Sequence, residues 1–304
     1  MTARHGRELE RLPRRAQTRL RASAAAAFLR LPPHWQRSAL HALGRFAPWE
    51  PEFNRHAPPS NGSLVAAAPD FVGVGVQKAG TSWWYELLVG HPDIYHHLPF
   101  HKERHFFSHF ATRDLTDDEI LEYYRWFPRP PGMLTGEWTP DYVHQPWTPA
   151  MLRRAAPHTK VLVLLRDPVE RYRSGLDHHR QRGEHITAVI ATDAFSRGLY
   201  GEQLQRLERS VPREQILVLL FEECRDEPQR HLARTVSFLG IPSGYAPESP
   251  SRSVGSTARV SSLSEYRRRE LSELYQHDLA LLAAMHPEVD LERWPSYRAL
   301  APRG

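Results

Sequence analysis

At 304 residues and 35.1 kDa, with 40% hydrophobic and 25% charged side chains, the chain is long enough for one large domain or two small ones with a sizeable core. No stretch approaches the roughly 18 uninterrupted apolar residues of a membrane-spanning helix, so no membrane span is expected. The single cysteine, Cys224, excludes an internal disulfide and a cysteine-rich metal cluster, and fits a reducing cytoplasm.

The formal charge of +5 is unevenly placed, because Met1 to Arg30 holds eight arginines against Glu8 and Glu10. This is a basic arm on a nearly neutral body. With no element built to read bases, a nucleic-acid partner is not expected. The short apolar run Ala24–Leu29 within it is too brief for a secretory signal. Of the 40 basic side chains only Lys78, Lys102 and Lys160 are lysines, and each merits attention because an ammonium and a guanidinium are not equivalent.

Residues 1–69 read as this arm followed by a proline-broken linker containing Pro51, Pro58 and Pro59. From Asp70 the pattern changes. Phe71 to Val76 is a short β-rich run, and Thr81 to Val89 is helical, closed by Gly90 and Pro92. The same order recurs at Val161–Leu165, which enters a helix opened by Asp167, Pro168 and Glu170 as cap, first-turn proline and third-position acid. It recurs again at Ile216 to Phe221, followed by Leu232, Thr235, Val236 and Leu239 at helical spacing. Leu271, Leu274, Tyr275, Leu279 and Leu282 predict a last helix packed on this core. Continuous apolar strands alternating with amphipathic helices predict an α/β fold, a parallel β-sheet flanked by helices, spanning residues 70–300 without an internal boundary.

Parallel sheets hold ligands outside the carboxyl ends of their strands, so the residues after each apolar run are the first candidates. After the first strand stand Gln77, Lys78, Ala79, Gly80, Thr81 and Ser82. A small-residue turn feeding a helix turns backbone N–H groups and the helix dipole toward an anion such as phosphate or sulfate. Gly75 and Gly80 have the glycine spacing of a nucleotide-binding P-loop, which keeps a P-loop-type kinase as an alternative, together with a catalytically silent nucleotide-binding module. Yet Thr81 follows Gly80 where the kinase motif requires lysine, and Arg166 ends the strand where a metal-holding aspartate would be sought. The dinucleotide fingerprint fails as well, since Lys78 stands at its third glycine.

The segment Gln77-Lys78-Ala79-Gly80-Thr81-Ser82 resembles the 5′-phosphosulfate loop of sulfotransferases, whose donor is 3′-phosphoadenosine 5′-phosphosulfate (PAPS) and whose product is 3′-phosphoadenosine 5′-phosphate (PAP). Arg166 to Ser174 resembles the same family's 3′-phosphate element, in which an arginine and a serine eight positions on bind that phosphate. Val218–Glu223 and Phe238–Pro242 are similar to the strand and helix that follow. The resemblance implies a P-loop-like sulfotransferase fold and donor binding by Gln77, Lys78, Ala79, Gly80, Thr81, Ser82, Trp83, Arg166 and Ser174, with no metal. Independently of it, Lys78 can meet charge developing on a leaving phosphate, and Arg166 offers a planar fork to a phosphate.

His101-Lys102-Glu103-Arg104-His105-Phe106-Phe107 resembles the acid-x-x-Phe-Phe segment of the carbohydrate sulfotransferases of the heparan sulfate type. That resemblance implies Glu103 as general base, with Lys102 and His105 beside it. Phe106 and Phe107 are expected in the core. His105 and then His97 rank behind Glu103 as the base. Gly136 to Tyr142 resembles a further element of these enzymes, which carry a lysine where this chain has Trp138, an indole that cannot neutralise an anionic sugar but can stack on an apolar or ring-shaped acceptor. Arg252, Gly255 and Arg259 stand where the family often adds 3′-phosphate contacts. The expected activity is in-line sulfuryl transfer to a hydroxyl, or less readily an amine, of a small molecule or glycan.

Overall fold

The computed structural model describes residues 63–96, 102–111, 113–247 and 262–300. The arm and most of the linker, His97 and the Ser251–Arg259 segment lie outside the described residues. Four strands form one parallel sheet: β2 (Phe71–Gly75), β4 (Gly136–Trp138), β5 (Lys160–Leu165) and β6 (Ile216–Leu220), in the order β4-β2-β5-β6. Val161 to Leu165 are all wholly buried and pair residue by residue with Ile216 to Leu220, as expected of strands covered on both faces. A separate antiparallel pair joins β1 (Val65–Ala66) to β3 (Pro128–Arg129). Residues read as linker therefore already pair with the body before Asp70.

The chain passes from β2 outward to β4, then back across β2 to β5. This reversal makes the carboxyl edge of the sheet beside β2 its switch point, the place where a parallel sheet takes a ligand. Helices α1 (Thr81–Val89), α2 (Asp117–Tyr124) and α3 (Thr148–Ala155) precede β5. α4 (Pro168–Gln181), α5 (Ala188–Ser196) and α6 (Tyr200–Glu208) precede β6. After β6 come α7 (Phe221–Asp226), α8 (Pro228–Leu239), α9 (Glu265–Met285) and the short α10 (Pro295–Arg298).

Local chemistry accounts for the helix ends. Asp167 caps α4, its Oδ1 accepting from the N–H groups of Val169 (2.9 Å) and Glu170 (3.1 Å), with Pro168 in the first turn. The Glu170 carboxylate takes no part in this cap and instead pairs with Arg173 (2.6 Å) and Arg268. α6 lacks a cap from its own sequence; Asp278 on α9 supplies one, accepting from Gly201 N and Glu202 N at 2.9 Å each. Lys160 is structural, its Nζ donating to Phe238 O (2.6 Å) at the end of α8. In α9, Leu271, Tyr275, Leu279 and Leu282 are buried as expected, but Leu274 is 60% exposed and faces solvent. No helix among the described residues is long and apolar enough to cross a membrane.

Candidate active site

The turn after β2 is built from two left-handed residues, Lys78 (φ 69°) and Gly80 (φ 85°). For lysine this conformation is uncommon, while at Gly80 a Cβ would also sit 2.8 Å from the Phe221 ring. The turn presents the Lys78 carbonyl to Arg166, whose Nη1 donates to it at 2.9 Å across 88 positions of sequence. The two loops that sequence reading assigned to the donor are thus joined directly. Arg166 lies 5.1 Å from the Phe221 ring centroid, Trp83 meets that ring edge-on with 6.1 Å between centroids, and Tyr200 Oη donates to Arg166 O at 2.8 Å.

Trp83 is 2% exposed, so its indole packs edge-on against Phe221 in the core rather than offering a surface to a ligand. Ala79 is fully buried, Thr81 nearly so, and Gln77 and Ser82 are half-buried. Ser174 is buried on α4.

Two features make this corner suited to a polyanion. The first turn of α1 contains no acidic residue and Gly80 provides no side-chain cap, so the positive end of the helix dipole is not countered by a carboxylate of that turn. Lys78 and Arg166 are also crowded: burial lowers the pKa of Lys78 and Arg166 lowers it further, while Glu103 acts in the opposite direction. Burial likewise lowers that of Arg166, against the pull of Glu222 and Glu170. Bound phosphate or sulfate oxygens would relieve both.

On the acceptor side, Lys102 Nζ contacts the Glu103 carboxylate and donates to Trp138 O (3.3 Å), while His105 Nε2 lies 3.2 Å from Glu103 Oε2. Burial pushes the Glu103 pKa up, but His105 and Lys102 together outweigh it and hold the group at about 2. The Glu103 carboxylate pulls the Lys78 pKa upward, so the candidate base stands within electrostatic reach of the turn after β2. Phe106 and Phe107 are buried beside Tyr123, as expected.

Trp138 corrects the sequence reading. It is 0% exposed, its Nε1 donates to Gly75 O (3.1 Å), and its ring fills the space that a Cβ on Gly73 would need. It is a core residue and cannot stack on an acceptor. An ammonium nevertheless reaches this strand, because Lys102 Nζ sits on the Trp138 carbonyl.

Sequence reasoning missed several neighbours. His178, half-buried on α4, has its pKa lowered by burial and then by Lys78, so it borders the same space; within the run His178-His179-Arg180 it reads as a solvated helix end. Glu222 accepts from Asp167 N (3.1 Å) and Trp294 Nε1 (2.9 Å), and Asp167 Oδ2 accepts from Ser296 N (3.0 Å). These contacts tie the segment before and within α10 to the backbone next to Arg166. Glu137 and Thr139 lie buried beneath Glu103.

Comparison with known proteins agrees with this geometry. Human heparan sulfate glucosamine 3-O-sulfotransferase 3B1 is 30% identical over 197 residues, covering 60% of this chain and 48% of its own length. The human 3-O-sulfotransferase 6 is 30% identical over 213 residues, 63% of this chain and 60% of its own. The chain thus spans about half the length of the curated relatives it matches. A sulfotransferase crystal structure from Alicyclobacillus acidocaldarius superposes with a TM-score of 0.61 at 27% identity, covering 75% of this chain and 99% of that one. A family model described as the sulfotransferase domain matches residues 68–279, and the chain belongs to the sulfotransferase family.

Proposed function

We propose that this protein transfers a sulfuryl group from PAPS to a hydroxyl of a glycan or of a small hydroxylated molecule, with an amine as the lesser acceptor. The observation that carries this reading is the Arg166–Lys78 hydrogen bond, which joins the turn after β2 to the end of β5, with Glu103 paired to Lys102 at the carboxyl end of the neighbouring β4. The names of the curated relatives favour a glucosamine-containing glycan as the first acceptor to test. Family membership gives the P-loop kinase alternative no support. The single, buried Cys224 suits a reducing cytoplasm.

PAPS, when bound, supplies the sulfuryl group and a phosphate leaving group. The N–H groups at the start of α1, with the Thr81 and Ser82 hydroxyls, would hold its 5′-phosphosulfate. Arg166 and Ser174 would read its 3′-phosphate. Lys78 places an ammonium where negative charge grows, in a half-buried position where that charge counts for more than in water. Glu103 accepts the acceptor's hydroxyl proton at a carboxylate oxygen. Its low pKa makes it a weak base while Lys102 and His105 hold it, so a shift of Lys102 toward donor oxygens would strengthen it.

The test is incubation with PAPS and a panel of hydroxylated metabolites and heparan sulfate oligosaccharides with free glucosamine hydroxyls, read by mass spectrometry for an added sulfuryl group. Transfer to any member is the expected result. No transfer across the panel, with PAP binding no tighter than adenosine 5′-phosphate, refutes the reading.

A further inference from the structure

Glu103 is flanked by backbone that strand β4 and its extension grip on both sides. Trp138 N donates to Lys102 O at 2.9 Å on one side. On the other, Thr139 Oγ1 accepts from Arg104 N (3.0 Å) and from His105 N (3.2 Å), and Glu137 Oε2 accepts from Arg104 N (3.1 Å). We propose that Glu137 and Thr139 are positioning residues that fix where the Glu103 carboxylate stands relative to the donor loop. The inference rests on the reading of Glu103 as the general base.

The hydrogen-bond arithmetic at Thr139 is complete. A hydroxyl has one proton and two lone pairs. The proton goes to Glu137 Oε2 at 2.6 Å, which leaves both lone pairs for the two backbone N–H groups. Glu137 thereby orients the Thr139 hydroxyl. The carboxylate itself is wholly buried, and Tyr123 Oη (2.7 Å) and Tyr142 Oη (3.3 Å) donate to its other oxygen. Burial pushes its pKa up, while these donors and the nearby Arg104 guanidinium act against that. Arg104 is itself buried, 5.0 Å from the Trp126 ring centroid.

Burying the Glu137 carboxyl group and the Arg104 guanidinium in the core is costly compared with an apolar filling of the same volume. An apolar filling, however, could not hold the N–H groups of Arg104 and His105. His105 has a left-handed backbone (φ 49°) and a ring on Glu103, so a slackened hold lets it return to an ordinary conformation and carries its imidazole away from the carboxylate. A displacement of about 1 Å at a reacting group costs on the order of a hundredfold in rate.

Thr139→Val keeps the shape of the side chain and removes both lone pairs; Thr139→Ser keeps them. Three quantities are measured for each: kcat for sulfuryl transfer from PAPS to the heparan sulfate oligosaccharide, PAP affinity by calorimetry, and thermal midpoint. The expected result is a kcat roughly 10- to 100-fold lower in Thr139→Val with PAP affinity within about twofold, and recovery to within about threefold in Thr139→Ser. Should Thr139→Val not fold, Glu137→Gln is judged by the same kcat and affinity criteria. A kcat near wild type, an affinity that falls with kcat, or no recovery in the serine variant overturns the proposal. Glu103→Gln is run alongside. If it is inactive while Thr139→Val is active, positioning alone fails; if it is fully active, the base assignment fails and this inference with it.

Discussion

Replacing Arg166 with alanine separates recognition of the 3′-phosphate from everything else the donor offers. In the free protein the guanidinium makes one hydrogen bond, to Lys78 O, and lies against the Phe221 ring. Those contacts are worth about 1 kcal/mol and about 0.5–1 kcal/mol respectively, and their loss is partly offset because a half-buried cation no longer has to be desolvated. Stability should therefore change by no more than about 1 kcal/mol. A charge-assisted contact to a doubly charged phosphate is worth about 2–3 kcal/mol, so PAP should bind Arg166→Ala roughly 30- to 150-fold more weakly than wild type. Adenosine 5′-phosphate, lacking that phosphate, should change by less than about threefold. Titration calorimetry of both nucleotides against both proteins gives the four affinities, with the thermal midpoint as the check on folding. Equal wild-type affinity for the two nucleotides, or equal losses in the variant, would show that Arg166 does not read the 3′-phosphate.

Other outcomes follow from the same geometry. Lys78→Ala should lower kcat by roughly a hundredfold or more with the fold intact, and wild-type turnover there would mean the turn after β2 is misread. Because Glu103 is held at about 2, it is ionised throughout the neutral range, and kcat/KM should show no acid limb between about pH 4 and 7 from this group. Lys102→Met removes one of the cations holding it down, so its pKa should rise and bring an acid limb into view. An acid limb in the wild type that vanishes in His105→Ala would instead assign the base to that histidine. Asp167→Ala removes the α4 cap and the acceptor for Ser296 N, and should destabilise the protein by roughly 1–3 kcal/mol in denaturant titrations.

What the sequence made legible follows from how directly each feature is written in it. β5 and β6 are unbroken apolar runs because both their faces are covered, and the cap at Asp167-Pro168 is a local signal that needs no tertiary context. The pairing of Val65–Ala66 with Pro128–Arg129 was hidden, since two-residue strands carry no periodicity. Trp138 misled because a motif comparison treats it as a substituted functional group. Its place is decided by the missing Cβ of Gly73 on the neighbouring strand, which is visible only once the two are in register. Leu274 fits the helical spacing yet lies on the solvent side, so spacing alone overstated the apolar stripe of α9. Glu222, His178 and Trp294 act through partners tens of residues away or more, and Glu137 reaches the Arg104 backbone 33 positions back, so nothing in their own neighbourhoods distinguishes them from ordinary surface or core residues.

The tie between Asp167 and Ser296 spans 129 positions, and Trp294 joins Glu222 across 72. During synthesis at about 5–20 residues per second, roughly 6 to 26 s pass between the ribosome's addition of Asp167 and of Ser296. Throughout that interval the strands beneath Arg166 can pair, but the backbone beside it lacks its last two fastenings. The corner around Arg166 therefore gains these two fastenings only once Ser296 has been made, and a nascent chain stalled short of Trp294 would hold a formed sheet with that corner unfastened.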